Sequence, residues 1–218
     1  MTKYVPFDLD GTLNDPYEGI TSCIKYALAS VGLEENDPEK LRSCIGPPLR
    51  DTFAKYGFDS EKCEELVAKY REKFLVTGIH QNVPYEGTHE MLKTLHEHGC
   101  KIALASCKPE HACKIILEET GMLKFFDVVS GATLDKTLDT KPAIIKLSLE
   151  RLGVKEEELE HVYMVGDRDM DMIGAHENKT VAVGCLYGYG GEEELCEAGA
   201  DYIIKEPLEL VDIVLGKD

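Results

Sequence analysis

Asp8-Leu9-Asp10-Gly11-Thr12-Leu13 follows the short apolar run Lys3-Tyr4-Val5-Pro6-Phe7 near the start of the sequence. A short apolar run that ends at polar turn residues is typical of a buried strand of a parallel sheet. In open α/β sheets, ligands bind at the carboxyl ends of the strands. Residues 8–13 are therefore the first candidate functional loop.

Similar short apolar or β-branched runs recur along the chain, and each ends near a Gly, Asp or Ser. They lie at residues 3–7, 101–105, 125–130, 161–165, 180–183 and 201–204. Amphipathic helical patterns separate most of them. This alternation predicts an α/β fold with a Rossmann-like, doubly wound parallel sheet. Pro6 conflicts with an interior strand because it has no N–H, so we expect either a bulge there or a nitrogen that faces away from the ladder.

The interval between the first two runs is the exception, because residues 15–83 show helical patterns and no convincing strand. About seventy residues are far more than the usual crossover between neighbouring parallel strands. The sequence therefore predicts a core domain formed by residues 1–14 and 84–218, with an inserted α-helical cap domain at residues 15–83.

Composition excludes several classes of protein. The 218 residues include 24 Lys and Arg against 41 Asp and Glu, a formal net charge of −17. This acid excess repels phosphate backbones and anionic lipid, so we expect no nucleic-acid partner and no membrane partner. The eight cysteines form no Cys-x-x-Cys pair, and the first residues lack the apolar run of a secretory signal. We expect reduced thiols and a cytoplasmic protein, and the sequence carries no signal for an oligomeric state.

Three further loops carry polar side chains where predicted strands end or a helix begins. They are Ser106-Cys107-Lys108-Pro109, Lys141-Pro142 and Gly166-Asp167-Arg168-Asp169-Met170-Asp171. Each candidate also has a purely structural interpretation. Asp8 and Asp10 could belong to an Asp-Gly turn, Ser106 could cap a helix, and Lys141 could be a solvated surface lysine.

In type and in order, the four loops resemble the motifs of the haloacid dehalogenase-like hydrolase superfamily. Residues 8–13 look like the nucleophile loop of that superfamily, Ser106 like its second motif and Lys141 like its third. Asp167 and Asp171 look like its fourth motif.

The long helical insert resembles the cap of the phosphoglycolate phosphatase and 5′-nucleotidase-like branch. Ile45-Gly46-Pro47-Pro48-Leu49-Arg50 looks like the cap loop of that branch, and Leu186-Tyr187-Gly188-Tyr189-Gly190 resembles a segment of its bacterial members. Cys107 stands where many relatives carry Asn. We expect the glycine run at residues 188–191 to be a flexible loop rather than a phosphate cradle.

The resemblance implies a phosphatase that hydrolyses a small phosphate monoester, of the phosphoglycolate or nucleoside 5′-monophosphate type, through an aspartyl-phosphate intermediate. Asp8 would be the nucleophile, and Asp10 would be the general acid and then the general base. Ser106 and Lys141 would complete the catalytic set by binding the phosphoryl oxygens and neutralising charge.

Carboxylates cannot approach a phosphate dianion without a compensating charge, so the chemistry calls for Mg²⁺. Its expected ligands are Asp8, the backbone carbonyl of Asp10, and Asp167. Asp171 would lie behind them and orient water or Lys141. Residues expected to bind the substrate are Thr12, Cys107, Lys108 and Arg50, although Lys108 could equally be a solvated surface residue.

Three other functions remain as alternatives. A phosphomutase would keep the same acids, and a non-catalytic binding protein could use the same scaffold. A haloacid dehalogenase needs no Mg²⁺ and lacks the second acid of the first motif, so Asp10 argues against it.

Overall fold

A parallel sheet organises the fold in our computed structural model, which describes residues 1–133 and 137–216. In chain order, the strands of these residues are β1 (Tyr4–Phe7), β2 (Asn14–Asp15), β3 (Val83–Pro84), β4 (Lys101–Pro109), β5 (Val128–Ala132), β6 (Tyr163–Gly166), β7 (Val181–Cys185) and β8 (Tyr202–Ile204). The α-helices are α1 (Tyr17–Ala29), α2 (Pro38–Arg42), α3 (Leu49–Ala54), α4 (Ser60–Phe74), α5 (Thr88–Glu97), α6 (Glu110–Glu119), α7 (Lys141–Leu152), α8 (Asp169–Glu177), α9 (Glu192–Glu197) and α10 (Glu209–Leu215). Short 3-10 helices lie at Gly78–His80, Leu123–Phe125 and Glu156–His161.

Within the described residues, six strands form one sheet in the order β5-β4-β1-β6-β7-β8. Every neighbouring pair runs parallel. The chain builds one side of the sheet from β1 through β4 to β5, and then the other side from β6 to β8. The direction of winding therefore changes at β1, which is where a doubly wound sheet binds its ligands. The predicted Rossmann-like fold is confirmed, and each of the six predicted strands overlaps an observed one.

β1 lies in the middle of the sheet and is buried along its whole length. Pro6 fits there because its nitrogen faces β6. The Asp8 N–H donates to the Val165 carbonyl of β6. Backbone nitrogens two residues apart in a strand face the same neighbouring strand, so the Pro6 nitrogen faces β6 as well. β1 pairs with β6 at Tyr4 and Phe7 but not at the two residues between them, whereas its pairing with β4 is continuous. The predicted conflict is resolved by a gap in one ladder, without a bulge.

Two compact units divide the chain, one formed by residues 1–15 and 84–218 and the other by residues 16–83. The first, unit 1, contains the six-stranded sheet. The second, unit 2, contains α1 to α4, and the Asp59 carboxylate caps α4 by accepting the Lys62 N–H at 2.9 Å. Its core includes Leu28 and Leu66, both almost completely buried. Over residues 1–133 and 137–216, no helix combines the length and apolar character needed to cross a bilayer.

Candidate active site

The candidate residues of unit 1 lie at the carboxyl ends of the central strands. Asp8 directly follows β1, Asp167 directly follows β6, and Ser106 lies in the last part of β4. Because β1 is hydrogen-bonded to β4 on one side and to β6 on the other, these three residues lie near one another at the carboxyl ends of the strands. Lys141 begins α7, and Asp171 lies in the first turn of α8.

Lys141 is the central cation of the site, and its side chain is almost completely buried. Its Nζ lies 2.8 Å from Asp8 Oδ1 and 2.9 Å from Asp171 Oδ1, and it donates to the Ala105 carbonyl at 3.0 Å. The interpretation of Lys141 as a solvated surface lysine is therefore wrong. One ammonium group connects the end of β1 with the middle of β4 and the start of α8.

The charge state of Lys141 follows from this arrangement. Burial alone would lower its pKa, but the Asp171 and Asp8 carboxylates outweigh burial and raise the pKa well above its ordinary value. A cation at the first residue of a helix is also disfavoured by the helix dipole, so these carboxylates are needed to hold it there. Lys141 is therefore charged at every physiological pH.

Three carboxylates of the described residues form a candidate metal centre. Asp8, Asp167 and Asp171 each offer an oxygen, and these oxygens lie within 4.8 Å of one another. Burial, followed by the neighbouring carboxylates of Asp171 and Asp8, raises the pKa of Asp167 well above its ordinary value. Burial also raises the pKa of Asp171, although Lys141 opposes the shift.

The chemistry of this donor set fits Mg²⁺. When all three acids are ionised, three negative charges face the single positive charge of Lys141. Carboxylate oxygens are the ligands that a hard divalent cation prefers. The residues present can therefore hold the predicted Mg²⁺, with Asp171 closer to Asp8 and Asp167 than its expected outer position suggested.

Asp167 is held in place by groups from two other loops. The buried Thr12 hydroxyl donates to Asp167 Oδ1 at 3.2 Å, and the Tyr189 N–H donates to Oδ2 at 2.9 Å. The sequence predicts Thr12 to be a substrate-binding residue. Because its hydroxyl is buried against Asp167, it supports that carboxylate instead.

Gly188 and Gly190 of the glycine run, which the sequence predicts to be a flexible loop, pack directly on Asp167. A Cβ on Gly188 would lie 2.4 Å from Asp167 Cβ and 2.4 Å from the Gly11 carbonyl oxygen. Gly11 itself has a φ of +84°, and a Cβ there would lie 2.2 Å from Asp167 Oδ2. Two glycines thus allow the backbone to enclose the carboxylate from both sides.

Asp10 and Lys108 form a close ion pair beside this centre. Lys108 Nζ lies 2.9 Å from Asp10 Oδ1 and 2.6 Å from Oδ2, and both side chains are largely buried. The interpretation of Lys108 as a solvated surface lysine is wrong.

Ser106 and Cys107 lie in β4, which extends further than predicted, to Pro109. The register with β5 shifts between Ser106 and Pro109. Ser106 is buried, and its hydroxyl accepts the Lys108 N–H at 3.4 Å, whereas α6 begins after Pro109 with no side-chain cap. The helix-cap interpretation of Ser106 is therefore wrong. Burial raises the pKa of the Cys107 thiol to about 11, so the thiol is protonated near neutral pH.

Arg50 belongs to unit 2, in the first turn of α3. Its guanidinium is paired with Glu64 of α4, and about half of the side chain is exposed. Nothing in this local geometry assigns it a ligand, and its contact with the substrate stays a prediction.

Two supporting groups were missed by sequence reasoning. The Tyr189 N–H acts through the backbone, which has no sequence signature. Glu194 accepts the Arg168 Nε–H at 2.7 Å and the Asp169 N–H at 3.0 Å, although it belongs to a run of three glutamates, a pattern that usually marks a solvated helix start. The sequence feature that could have indicated a less exposed side chain is the position of Glu194 at the end of that run, next to the apolar Leu195.

Residues 5–184 match the haloacid dehalogenase-like hydrolase family. The chain belongs to this family. The match includes the predicted nucleophile loop, Ser106, Lys141, and the Asp167 and Asp171 pair, and it confirms the resemblance inferred from the sequence.

Individual relatives of this hydrolase differ in their named activities. A 5′-nucleotidase from Pseudomonas aeruginosa is 40% identical over 190 residues, covering 87% of this chain and 85% of the relative. The pyrophosphatase PpaX from Halalkalibacterium halodurans is 34% identical over 212 residues, covering 96% and 95%. A crystal structure of a predicted phosphatase from Clostridium acetobutylicum has a TM-score of 0.92 and 37% identity, and covers 100% of both chains.

Proposed function

We propose that this hydrolase is a Mg²⁺-dependent phosphatase that cleaves a small phosphate monoester through an aspartyl-phosphate on Asp8. The observation that carries the proposal is the buried Lys141 ammonium, which contacts both Asp8 and Asp171 within 3 Å. Asp8 is itself one of the three carboxylates that can hold a divalent cation. The names of the relatives, a nucleotidase and a pyrophosphatase, support phosphoryl transfer to water.

The first step transfers the phosphoryl group to the enzyme. An Asp8 carboxylate oxygen attacks phosphorus, and the bond from phosphorus to the leaving oxygen breaks. Asp10, once it has left Lys108 and taken up a proton from solvent, gives that proton to the leaving alkoxide, and the alcohol departs.

The second step returns the enzyme to its starting state. The Asp10 carboxylate takes a proton from water, and the water oxygen attacks phosphorus. The bond between phosphorus and Asp8 breaks, which regenerates the Asp8 carboxylate and releases inorganic phosphate. Because Asp10 donates one proton and later recovers one, the cycle balances.

Charge neutralisation completes the mechanism. Lys141 stabilises the negative charge that spreads over the transferred group, and Ser106 with the amide groups after it binds the phosphoryl oxygens. When bound by Asp8, the Asp10 carbonyl and Asp167, with Asp171 adjoining, Mg²⁺ would offset the repulsion between these acids and the phosphate dianion.

Substrate choice belongs to the predicted cap, because the groups described above recognise only the phosphoryl group. We assign that role to unit 2, with Arg50 and residues 45–49 as the candidate contacts. Phosphoglycolate and nucleoside 5′-monophosphates are the proposed substrate classes.

The test is phosphate release from a panel of phosphoglycolate, nucleoside 5′-monophosphates, sugar phosphates and pyrophosphate, with and without Mg²⁺. We expect Mg²⁺-dependent turnover of at least one monoester, ranked by kcat/KM, and no detectable turnover by Asp8→Asn. Glu150→Gln, an exposed acid-to-amide change on α7, is the control and should keep wild-type rates. Turnover by Asp8→Asn at the wild-type rate would refute the proposal.

The same panel separates the alternatives. A phosphomutase would isomerise a sugar phosphate without net release of phosphate. A binding protein would release phosphate from none of the esters in Mg²⁺.

A further inference from the structure

The turn between β6 and α8 must place two carboxylates of the metal centre at once. Asp167 ends the strand side of the turn and Asp171 lies in the first turn of α8, with only Arg168, Asp169 and Met170 between them. A shift of this turn would separate the Asp167 and Asp171 oxygens. The turn therefore needs contacts that fix its backbone.

One end of the turn is held by the metal-site residues themselves. Asp171 Oδ2 accepts the Arg168 N–H at 3.1 Å, so this carboxylate both caps α8 and faces Lys141. The Asp169 N–H has no such partner inside the turn, and it donates instead to Glu194 of α9.

Glu194 holds the turn with a single oxygen. Its Oε1 accepts the Asp169 N–H at 3.0 Å and the Arg168 Nε–H at 2.7 Å. Only 30% of the Glu194 side chain and 17% of the Arg168 side chain is exposed. The next residue, Leu195, is fully buried in the core of unit 1, which anchors α9 at this point. Glu194 thus ties the turn to a fixed part of the fold.

The charges of this contact cancel. Arg168 neutralises Glu194, so the contact fixes the backbone without adding net charge beside the metal centre. Its effect on the centre should therefore come from position, and the length of the side chain at residue 194 should matter more than its charge.

We infer that Glu194 is a positioning residue that sets the affinity of the Asp8, Asp167 and Asp171 centre for Mg²⁺. This inference rests on the proposed function in assuming that the centre binds Mg²⁺. Groups behind metal ligands typically change metal affinity or activity by about 10- to 100-fold when they are removed.

The test measures Mg²⁺ binding to the full chain by calorimetry, in 0.3 M salt (about a 6 Å screening length), which limits purely electrostatic effects. Glu194→Ala removes the acceptor. Glu194→Asp keeps the charge but is one methylene too short, and it replaces the alanine variant if that variant does not fold. Glu194→Gln keeps the length and an oxygen that can accept both hydrogen bonds. Glu193→Ala, at the exposed neighbouring position, is the control.

We expect the Ala and Asp variants to bind Mg²⁺ at least about fivefold more weakly than wild type. The Gln variant should bind more tightly than both, and the control should match wild type. The Mg²⁺ concentration for half-maximal phosphate release should rise in the same order, while the urea midpoint without Mg²⁺ moves little. Binding by the Ala and Asp variants within fivefold of wild type, or a Gln variant as weak as the Ala variant, would overturn the inference.

The outcome for Glu194 can be separated from the outcome for the proposed function. Wild-type protein that binds Mg²⁺ but releases no phosphate would contradict the proposed function and leave the comparison of variants intact. Wild-type protein that binds no Mg²⁺ would contradict both.

Discussion

At the scale of single residues, Lys141 connects the parts of the site. Its ammonium contacts Asp8, Asp171 and the Ala105 carbonyl, and each of these belongs to a different segment of the sheet or its helices. A buried ammonium with these partners contributes to stability, because removing it leaves buried carboxylates that repel each other. It is also the fixed positive charge of the candidate active site.

Replacing Lys141 tests both roles. We expect Lys141→Met to lower kcat/KM at least about 100-fold, because the transferred group loses its fixed cation. We also expect the free energy of unfolding to fall by about 3 kcal/mol without Mg²⁺, because the two acids remain buried without a partner. Steady-state kinetics and urea titration measure these effects. Lys146→Met, at an exposed position of the same helix, should change neither, and equal effects in the two variants would contradict this account.

The sequence indicated the residues proposed to react better than it indicated the residues that hold them in place. Asp8, Lys141 and Asp167 carry charge at strand or helix ends, and such positions can be read from a pattern. The contacts of Thr12, which was assigned to the substrate, and of Glu194 were not predicted, because each contact joins segments far apart in the chain. The hydrogen bond from the Tyr189 N–H comes from the backbone, so no residue type could signal it.

At the scale of elements, the segment after β7 supports the metal centre. Gly188 packs on Asp167 so closely that any side chain there must displace the carboxylate. Gly191, in the same run, faces open space.

This difference between the two glycines gives a matched pair of variants. Gly188→Ala should destabilise the protein by about 1–3 kcal/mol through overpacking, and it should weaken Mg²⁺-dependent turnover because Asp167 shifts. Gly191→Ala should behave like wild type. Thermal unfolding and kinetics with varied Mg²⁺ measure both, and a harmless Gly188→Ala would show that the segment does not hold Asp167.

Asp127, the residue before β5, has a carboxylate whose contribution to stability depends on pH. Burial alone would raise the pKa of Asp127, but the Lys101 ammonium at 2.6 Å and the Ile102 N–H at 3.0 Å outweigh it and lower the pKa. A lowered pKa in the folded state stabilises the fold above the unfolded pKa of about 3.9, and this stabilisation is lost as pH falls through the folded value.

Asp127→Asn should therefore cost about 1 kcal/mol of unfolding free energy at pH 7, and less towards pH 2. Urea titrations of both proteins across this range measure the difference. Glu118→Gln, at an exposed position of α6, should show no such trend. A cost for Asp127→Asn that grows as the pH falls would contradict the assignment.

The elements themselves were largely readable from the sequence. Buried parallel strands are continuous apolar runs, so all six strands of the main sheet were found. The end of β4 was misplaced because Ser106, Cys107 and Lys108 are polar, yet they continue the strand through a register shift. The accommodation of Pro6 depends on which neighbour its nitrogen faces, and strand order decides that.

At the scale of the whole molecule, the excess of acid and the chemistry of the site are separate properties. The net charge is −17, yet Asp8 and Asp171 are paired locally with Lys141, and Asp10 is paired with Lys108. These nearby cations, together with the Mg²⁺ that the centre is proposed to bind, therefore determine how the site meets a phosphate ester, since screening weakens the more distant charges.

The cysteines give a prediction for the whole chain. All eight are free thiols, and Cys196 is exposed while the others are buried or, for Cys107, partly buried with a raised pKa. A thiol-reactive chromophore should label one thiol quickly in the native protein and eight after denaturation without reductant. Cys196→Ser should remove the fast phase. Fewer than eight thiols in the denatured protein would reveal a disulfide and contradict the structure.

The central claim is that Asp8 becomes esterified to phosphorus, and a crystal grown with Mg²⁺ and beryllofluoride tests it most directly. We predict that beryllium, in place of phosphorus, is bonded to an Asp8 carboxylate oxygen, with Lys141 in contact with a fluoride. Beryllofluoride bound anywhere away from the Asp8 side chain would contradict the claim.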